Sequence, residues 1–198
     1  MKITLLYGGQ SAEHEVSILS AFSVLNAIYY DYYQVQLVYI TKNGQWVKGP
    51  LLTQKPESQE VLHLTWEGEG KTGQIINPGA IKEEGTIVFP LLHGPNGEDG
   101  TIQGFLEILR LAYVGPNILS ASSTMDKLLA KHVFEAVGVP QVPYVAAFAD
   151  ENQGEIAQEA SNNLKPGEIL LLENLRFYPE EEAGDVEFAE ELAWLGDI

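Results

Sequence analysis

The sequence predicts an α/β fold, with an open, mainly parallel sheet flanked by helices and an added C-terminal strand–helix unit. Two apolar runs, residues 2–7 and 86–92, are short and nearly continuous, as is typical of buried parallel strands. Each run leads into a glycine-bearing loop, and apolar residues at helical spacing follow each loop. Strands and helices that alternate in this way form a parallel sheet that binds ligands at the carboxyl ends of its strands.

The N-terminal elements follow from local periodicity. Apolar residues recur at steps of three and four across residues 16–28, which predicts a largely buried amphipathic helix. Residues 34–41 are typical of a second strand, and an Asn-Gly turn separates them from a short strand at 45–47. Residues 51–80 are polar and rich in turn residues, so we expect an excursion from the main fold.

Two helices are predicted after the second glycine-bearing loop. Residues 102–111 have one apolar side, which predicts a helix, and a short strand follows it. A further helix over about 122–137 ends at Gly138-Val-Pro, which is a strong stop signal. Ser123 or Thr124 can cap this helix.

The last quarter of the chain has a different character. Residues 150–198 carry a net charge of −12, whereas residues 1–149 carry −5. Helical turns at 155–162, a strand at 168–173 and a helix capped by Asp185 are predicted here. A shift of this size in charge and pattern marks a boundary between two segments.

Composition excludes several classes of function. The chain has 198 residues, no cysteine and a formal net charge of −17. Without cysteine there is no disulfide framework, thiolate metal site or cysteine nucleophile. Phosphate backbones are bound by clustered Lys and Arg, so we expect no nucleic acid partner. The sequence shows no signal-peptide pattern and no apolar stretch of membrane-spanning length, so we expect a cytoplasmic protein without a membrane partner.

The first glycine-bearing loop, residues 8–15 (GGQSAEHE), is a candidate ligand site. Its glycines let the backbone approach a ligand, but it is neither a dinucleotide GxGxxG motif nor a P-loop. A carboxylate such as Glu13 can hold the ammonium of a small zwitterion. In the structural alternative, Glu13 and Glu15 favour the helix dipole and Ser11 caps the helix.

The second loop, residues 93–101 (HGPNGEDGT), combines glycines, a histidine and two carboxylates directly after a buried strand. Loops with this density of turn residues usually hold a ligand. His93 can donate to a carboxylate or phosphate, or it can satisfy local backbone groups. Glu98 and Asp99 can instead cap the following helix. We expect no metal site, because the histidines show no ligand spacing: His14, His63, His93 and His132.

The helix predicted to begin near residue 122 contains two lysines that are candidate phosphate ligands. Lys127 and Lys131 lie one turn apart, and two lysines in an otherwise acidic chain can contact phosphates. The alternative is a solvated helix face.

Together, these blocks resemble the D-alanine–D-alanine ligases, which are ATP-grasp enzymes of peptidoglycan precursor synthesis. The resemblance runs from residue 1 to about 148 and preserves the order and spacing of the motifs. It implies the fold of the N-terminal domain of an ATP-grasp ligase. The matching stretches are 6–17, 93–104, 113–116, 125–127 and 138–144.

The resemblance also implies roles for individual residues. Glu13 matches the residue that holds the ammonium of the first D-alanine, and His93 matches one near the reacting centre. Ser17 and Gly94 fall in the substrate-binding region, and Lys127 matches a lysine that contacts nucleotide phosphate. In this family ATP phosphorylates the carboxylate of one D-alanine, and the amine of the second D-alanine attacks it.

The family's remaining nucleotide site, its Mg²⁺ carboxylates, its lid loop and its transition-state arginine come later than the matched region. Residues 150–198 match none of them. Instead, residues 153–198 resemble a piece of phosphoglycerate kinase, above all the stretch 164–177 (LKPGEILLLENLRF). Arg176 matches an arginine near that family's 3-phosphoglycerate. In a strongly acidic segment, we expect Arg176 to pair with neighbouring glutamates instead.

The two resemblances predict a chimera of three regions. These are a ligase-like α/β domain (1–121), the start of the ATP-grasp central region (122–149) and a kinase-like α-β-α segment (150–198). We expect a folded ligase fragment that binds D-alanine weakly, lacks turnover and holds no cofactor, although the parent ligase uses ATP and Mg²⁺. It can form a homodimer. The alternatives are an engineered structural fold without a ligand and a minimal active ATP-dependent ligase.

Overall fold

The computed structural model describes residues 1–148, 150–172, 175 and 178–196. It divides into two compact units, residues 1–140 and residues 141–198, which we describe separately.

Unit 1 is built on a six-stranded mixed sheet in the order β4-β3-β2-β1-β5-β6. The four strands β2, β1, β5 and β6 run parallel, while β3 and β4 add antiparallel pairs at one edge. The predicted open, mainly parallel α/β sheet is thus confirmed. The strands are β1 (Lys2–Gly8), β2 (Gln34–Ile40), β3 (Trp46–Leu52), β4 (Gln74–Ile76), β5 (Thr86–Pro90) and β6 (Ala112–Tyr113).

Alternation along β1 divides the core between the two faces of the sheet. Leu5 and Tyr7 are fully buried on one face, in a cluster that includes residues of helix α1 (His14–Ala27). Leu6 points the other way and joins a cluster with Leu106 of helix α2 (Thr101–Ile108). Each fully buried leucine contributes about 1.5–3 kcal/mol relative to an exposed one. Both faces are therefore covered, as a parallel sheet requires.

Residues 51–80 contribute more to the fold than their polar composition indicates. Leu62 and Leu64 are buried, and Leu62 joins the core cluster beside α1. Two short 3₁₀ turns, Gln59–Leu62 and Pro78–Ile81, and strand β4 give this segment its structure. The sequence did not indicate this packing because isolated buried leucines in a polar stretch have no periodicity.

The helix predicted over about 122–137 is two helices, α3 (Ile118–Met125) and α4 (Lys127–Ala136). Asp126 separates them, since its backbone is extended and its side chain accepts a hydrogen bond from the Leu129 N–H at 2.8 Å. An aspartate at this position favours a new helix start over an uninterrupted helix. The hydroxyls of Ser123 and Thr124 donate to carbonyls within α3 and cap neither helix.

Unit 2 contains three helices in its described residues: α5 (Gln153–Asn162), α6 (Pro179–Ala183) and α7 (Val186–Ala193). The side chain of Asp185 accepts a hydrogen bond from the Phe188 N–H at 2.9 Å, which confirms the predicted cap.

The strand predicted at 168–173 does not form in residues 168–172, and residue 173 lies outside the described residues. Ile169 and Leu171 are 91% and 87% exposed. A strand needs a hydrogen-bonding neighbour, and the described part of unit 2 contains no other strand. Arg176 also lies outside the described residues, so its predicted ion pairs stay a prediction.

None of the helices in the described ranges has the length and apolar character needed to cross a bilayer.

Candidate functional site

The two glycine-bearing loops meet at one edge of the sheet. Strands β1 and β5 are adjacent and parallel, with Leu6 opposite Pro90 near their carboxyl ends. The loops that follow these strands therefore lie side by side, at the position where open α/β sheets bind ligands. The prediction that both loops share this edge is confirmed.

Ser11 connects the two loops directly. Its hydroxyl accepts a hydrogen bond from the Glu13 N–H at 3.2 Å and donates one to the His93 carbonyl oxygen at 2.7 Å. Glu13 precedes α1, and α1 has no side-chain cap, so Ser11 does not cap the helix as the structural alternative expected. Its bond to His93 instead connects the two loops. The positions of Glu13 and His93 are thus coupled through one side chain.

Ser17 lies below the loops and is fully buried. Its hydroxyl accepts a hydrogen bond from the Gly8 N–H at 2.8 Å and donates its only hydrogen to the Leu91 carbonyl oxygen. A hydroxyl has one donor and two acceptor positions, so a single lone pair remains. Ser17 therefore holds the ends of two strands together, and its contact with a substrate stays a prediction.

Three side chains converge above these contacts: Glu13, His93 and Glu98, which we call the acid–histidine cluster. One nitrogen or oxygen atom from each lies within 4.8 Å of the other two. His93 Nδ1 and Glu98 Oε1 are 4.0 Å apart. The Gly94 N–H donates to Glu98 Oε2 at 2.7 Å, and His93 Nε2 lies 2.9 Å from the Ser20 hydroxyl.

The Glu13 carboxylate is the least constrained member of the cluster. It is exposed and lies just before α1, but it makes no capping hydrogen bond. Within the part of the chain that the structure describes, it has no ion-pair partner. Both glutamates lie at the N-terminus of α1, Glu13 at the N-cap position and Glu15 in the first turn, where negative charge favours the helix dipole, so this alternative stays open beside ligand binding. Glu15 also pairs with Lys42 at 2.8 Å, which lowers the pKa of Glu15.

Gly94 leaves the space in front of Glu13 open. Its φ of +70° lies in the left-handed region, and a Cβ at this position would lie 3.4 Å from the Ser11 Cβ and 3.9 Å from Glu13 Oε2. A residue with a side chain would be strained by this φ, although its Cβ would make only ordinary contacts with Ser11 and Glu13. The predicted substrate-binding residues Glu13 and Gly94 are thus neighbours.

His14 and Tyr39 support the first loop, and the sequence did not point to either. His14 is 1% exposed; its Nδ1 donates to the Gly9 carbonyl oxygen, and its Nε2 lies 2.9 Å from the Tyr39 hydroxyl. Burial and the nearby Glu15 carboxylate raise the pKa of Tyr39, so the phenol stays protonated. No sequence pattern indicates these contacts of His14, because Gly9 lies in an irregular loop and Tyr39 is 25 residues away along the chain.

Asp99 binds backbone N–H groups at the start of α2, as the structural alternative for this residue predicted. Its carboxylate accepts hydrogen bonds from the N–H groups of Asn96 and Thr101, both at 2.9 Å. Burial acts to raise the pKa of Asp99, but these backbone bonds outweigh it and lower that pKa. Asp99 therefore shapes the loop and the start of α2, while Glu98 faces the cluster.

A cleft of about 300 Å³ is lined by both glycine-bearing loops, with Gly9 and Gln10 from the first and His93 from the second. Trp46 and Phe105 line it, with ring centroids 5.6 Å apart, and Asn96 adds a polar group. His93 thus belongs both to the lining of this cleft and to the acid–histidine cluster.

Lys127 is the first residue of α4, and its side chain is exposed. Lys131 lies one turn further and is half-buried. Contact of Lys127 with a nucleotide phosphate stays a prediction.

The mainly parallel sheet, with polar loops and an exposed carboxylate at the carboxyl ends of its strands, defines an open α/β domain, a class in which ligands generally bind at that edge. Residues 2–116 match the family described as the D-ala D-ala ligase N-terminus, and the chain belongs to this family.

Curated relatives with this similarity are D-alanine–D-alanine ligases. The Enterococcus hirae enzyme is 64% identical over 172 residues, which cover 83% of this chain and 48% of that enzyme. The Lactococcus lactis subsp. lactis enzyme is 65% identical over 163 residues, which cover 82% of this chain and 46% of that enzyme. The chain thus spans about half the length of the curated relatives it matches.

Solved structures give the same result for the fold. The D-alanine–D-alanine ligase of Coxiella burnetii has a TM-score of 0.65 and 31% identity, covering 82% of this chain and 49% of that one. The D-Ala:D-Ser ligase VanG of Enterococcus faecalis has a TM-score of 0.62 and 31% identity, covering 83% of this chain and 49% of that one.

A second family, phosphoglycerate kinase, matches residues 121–198. This match begins well before residue 153, where the kinase-like motifs begin. Because the Enterococcus hirae ligase covers 83% of the chain, the ligase and kinase similarities overlap.

Proposed function

We propose that unit 1 is the first D-alanine site of a D-alanine–D-alanine ligase, and that Glu13 accepts the ammonium of the amino acid. The observation that carries this proposal is the exposed Glu13 carboxylate, which has no ion-pair partner among the described residues and lies beside Gly94 and His93. A carboxylate at the carboxyl edge of a parallel sheet is a suitable group for a small cation.

The affinity of this site is expected to be low. An exposed ion pair contributes about 0–1 kcal/mol, whereas a dissociation constant of 1 mM requires about 4.1 kcal/mol. Glu13 alone therefore does not give millimolar affinity, and the Gly94 and His93 region must supply the remaining contacts. Binding in the range of tens of millimolar is consistent with this geometry.

We further propose that these 198 residues do not turn D-alanine over. ATP and Mg²⁺ belong to the reaction that the resemblance implies. Mg²⁺ prefers oxygen ligands in an octahedral arrangement, so the imidazole of the acid–histidine cluster does not suit it. Lys127 is the one residue expected to contact a nucleotide phosphate, and a single exposed lysine in a chain of net charge −17 is a poor phosphate site.

We also propose that the chain joins ligase and kinase sequences. The matches of two unrelated families to the successive segments 2–116 and 121–198 support this origin. The tail then adds a separate unit, and the ligand site belongs to unit 1. Removing residues 141–198 is expected to leave the D-alanine-dependent shifts of unit 1 in place.

A titration of the ¹⁵N-labelled chain with D-alanine tests the binding proposal. We expect saturable shifts of the Glu13, His93 and Gly94 resonances, and we expect Glu13→Gln to abolish them. Glu15→Gln is the matched control, because Glu15 is an exposed glutamate of the same loop region that pairs with Lys42. L-Alanine serves as the control for stereochemistry.

Two outcomes would replace this proposal. An absence of shifts at tens of millimolar D-alanine would favour a structural fold without a ligand. ADP release that requires both ATP and D-alanine, and that Glu13→Gln abolishes, would establish a minimal active ligase.

A further inference from the structure

The acid–histidine cluster brings together metal-binding atoms from separate parts of the chain. Glu13 precedes α1, while His93 and Glu98 lie five residues apart in the loop after β5. One imidazole nitrogen and two carboxylate oxygens lie within 4.8 Å of one another. The sequence spacing of the histidines gave no sign of this cluster, because two of its three members are glutamates and one comes from a different loop.

The histidine is held in the orientation that a metal ligand needs. His93 Nε2 lies 2.9 Å from the hydroxyl of Ser20 on α1. When a metal ion binds Nδ1, which lies 4.0 Å from Glu98 Oε1, the ring hydrogen is on Nε2 and can donate to the Ser20 hydroxyl. Metal-bound histidines almost always donate their other ring N–H in this way, which fixes the tautomer and the ring orientation.

The Glu98 carboxylate is also positioned by a hydrogen bond, which it accepts from the backbone. The Gly94 N–H donates to Oε2 at 2.7 Å, and Oε1 remains 4.0 Å from His93 Nδ1. Two ligands of one tetrahedral zinc ion lie about 3.4 Å apart, given bond lengths of about 2.0–2.2 Å. His93 Nδ1 and Glu98 Oε1 therefore need to approach each other by about 0.6 Å, which a small movement of the exposed Glu98 carboxylate can supply, and Glu13 can approach by a change of rotamer.

We propose that Glu13, His93 and Glu98 form a site for a divalent transition metal, with Zn²⁺ as the best match. Three protein ligands leave a fourth position for water, as in open zinc sites. One imidazole with two carboxylates suits Zn²⁺ better than Mg²⁺. This site shares Glu13 with the proposed D-alanine site, so Zn²⁺ and the ammonium of D-alanine compete for that carboxylate.

Calorimetric titration of the full chain with Zn²⁺ tests the site. We expect one ion per chain at the cluster, and His93→Ala and Glu98→Gln each weaken its binding more than tenfold. The control is His132→Ala, which removes an exposed histidine of α4. Ser20→Ala weakens zinc binding about tenfold, because the orienting partner of His93 is lost. Far-UV circular dichroism and urea unfolding establish that each variant is folded.

The imidazole resonances give a readout that loss of stability does not produce. On addition of Zn²⁺, we expect His93 Nδ1 to show the coordination shift while Nε2 keeps its proton. Zinc affinity that is unchanged in folded His93→Ala or Glu98→Gln would overturn the proposal, and so would coordination through Nε2. Binding that is lost equally in His132→Ala would show adventitious surface binding and would overturn it as well.

The outcomes for the two ligands are distinguishable. Glu98→Gln is expected to remove zinc binding and to retain the D-alanine shifts, whereas Glu13→Gln removes both. Zinc binding without any D-alanine shift would contradict the proposed function alone. D-Alanine shifts without zinc binding would contradict the metal site alone.

Discussion

Replacing Ser17 by alanine tests whether its hydroxyl stabilises the fold by holding together the ends of strands β1 and β5. The substitution removes one oxygen atom from a fully buried position and leaves the apolar packing around it nearly unchanged. It takes away the acceptor of the Gly8 N–H and the donor to the Leu91 carbonyl oxygen. Both backbone groups then lack these partners where water has little or no access.

The expected loss of stability follows from these two groups. A buried donor or acceptor left unsatisfied costs about 1–3 kcal/mol. Gly8 is buried and Leu91 is half-buried, so the N–H is expected to contribute more than the carbonyl. We expect a total of about 2–4 kcal/mol, a large fraction of the 5–15 kcal/mol that is typical of a folded domain.

Native-state hydrogen exchange of the Gly8 amide is the most direct assay, because it reports on this bond without assuming that both units unfold together. Urea unfolding followed by circular dichroism gives the overall loss. Ser23→Ala is the control, since the exposed Ser23 hydroxyl donates to the Leu19 carbonyl within α1, and we expect a change below about 0.5 kcal/mol. If Ser17→Ala is as stable as Ser23→Ala, or if the Gly8 amide keeps its protection, the structural role is refuted. Weaker D-alanine binding at unchanged stability would instead support the predicted substrate contact.

Three further substitutions have defined expectations. Gly68 has a φ of +80° and open space around it, so Gly68→Ala is expected to reduce the free energy of unfolding by about 1–2 kcal/mol. Gly8→Ala is expected to cost clearly more, because its Cβ would also meet a backbone carbonyl oxygen; urea unfolding of both variants measures the difference. Two lysines lower the pKa of Glu83, so its stabilisation is present above the ordinary glutamate pKa of about 4.3 and is lost as pH falls through the lower folded value. Glu83→Gln should therefore reduce stability by up to about 1 kcal/mol at pH 7 and by progressively less as the pH falls below about 4.3, with the exposed Glu84→Gln as the control that changes little. Asp126→Ala should cost about 0.5–2 kcal/mol and Asp126→Asn much less, measured by urea unfolding and by exchange of the α4 amides.

The sequence predicted that the two glycine-bearing loops meet at one edge of the sheet because two strong patterns coincide there. The apolar runs that became β1 and β5 are readable by themselves, and parallel strands of one sheet must end at the same edge. Glu13, His93 and Gly94 follow these strands, so their proximity required only that the two strands be neighbours. Here local pattern and tertiary structure agree.

Other features depended on contacts that no local pattern contains. Ser17 lies among apolar residues of helix α1, and nothing in their periodicity shows that its hydroxyl joins two strand ends. Asp126 carries a capping signal of its own, but the apolar pattern on both sides indicated one helix. Four consecutive apolar residues from Ile169 predicted a strand, yet a strand also needs a partner strand in space.

The polar side chains that fix the two loops differ from the carboxylate proposed to contact the ligand. Ser11, His14 and Ser17 fix both loops through bonds that lie entirely within unit 1, while Glu13 remains exposed. A ligand therefore need not order the loops, and its affinity reflects direct contacts alone. We expect saturating D-alanine to shift the Gly94 resonance but to leave the exchange protection of the Gly8 amide unchanged. An increase in Gly8 protection on binding would show that the ligand itself orders the loops, and would contradict a preformed site.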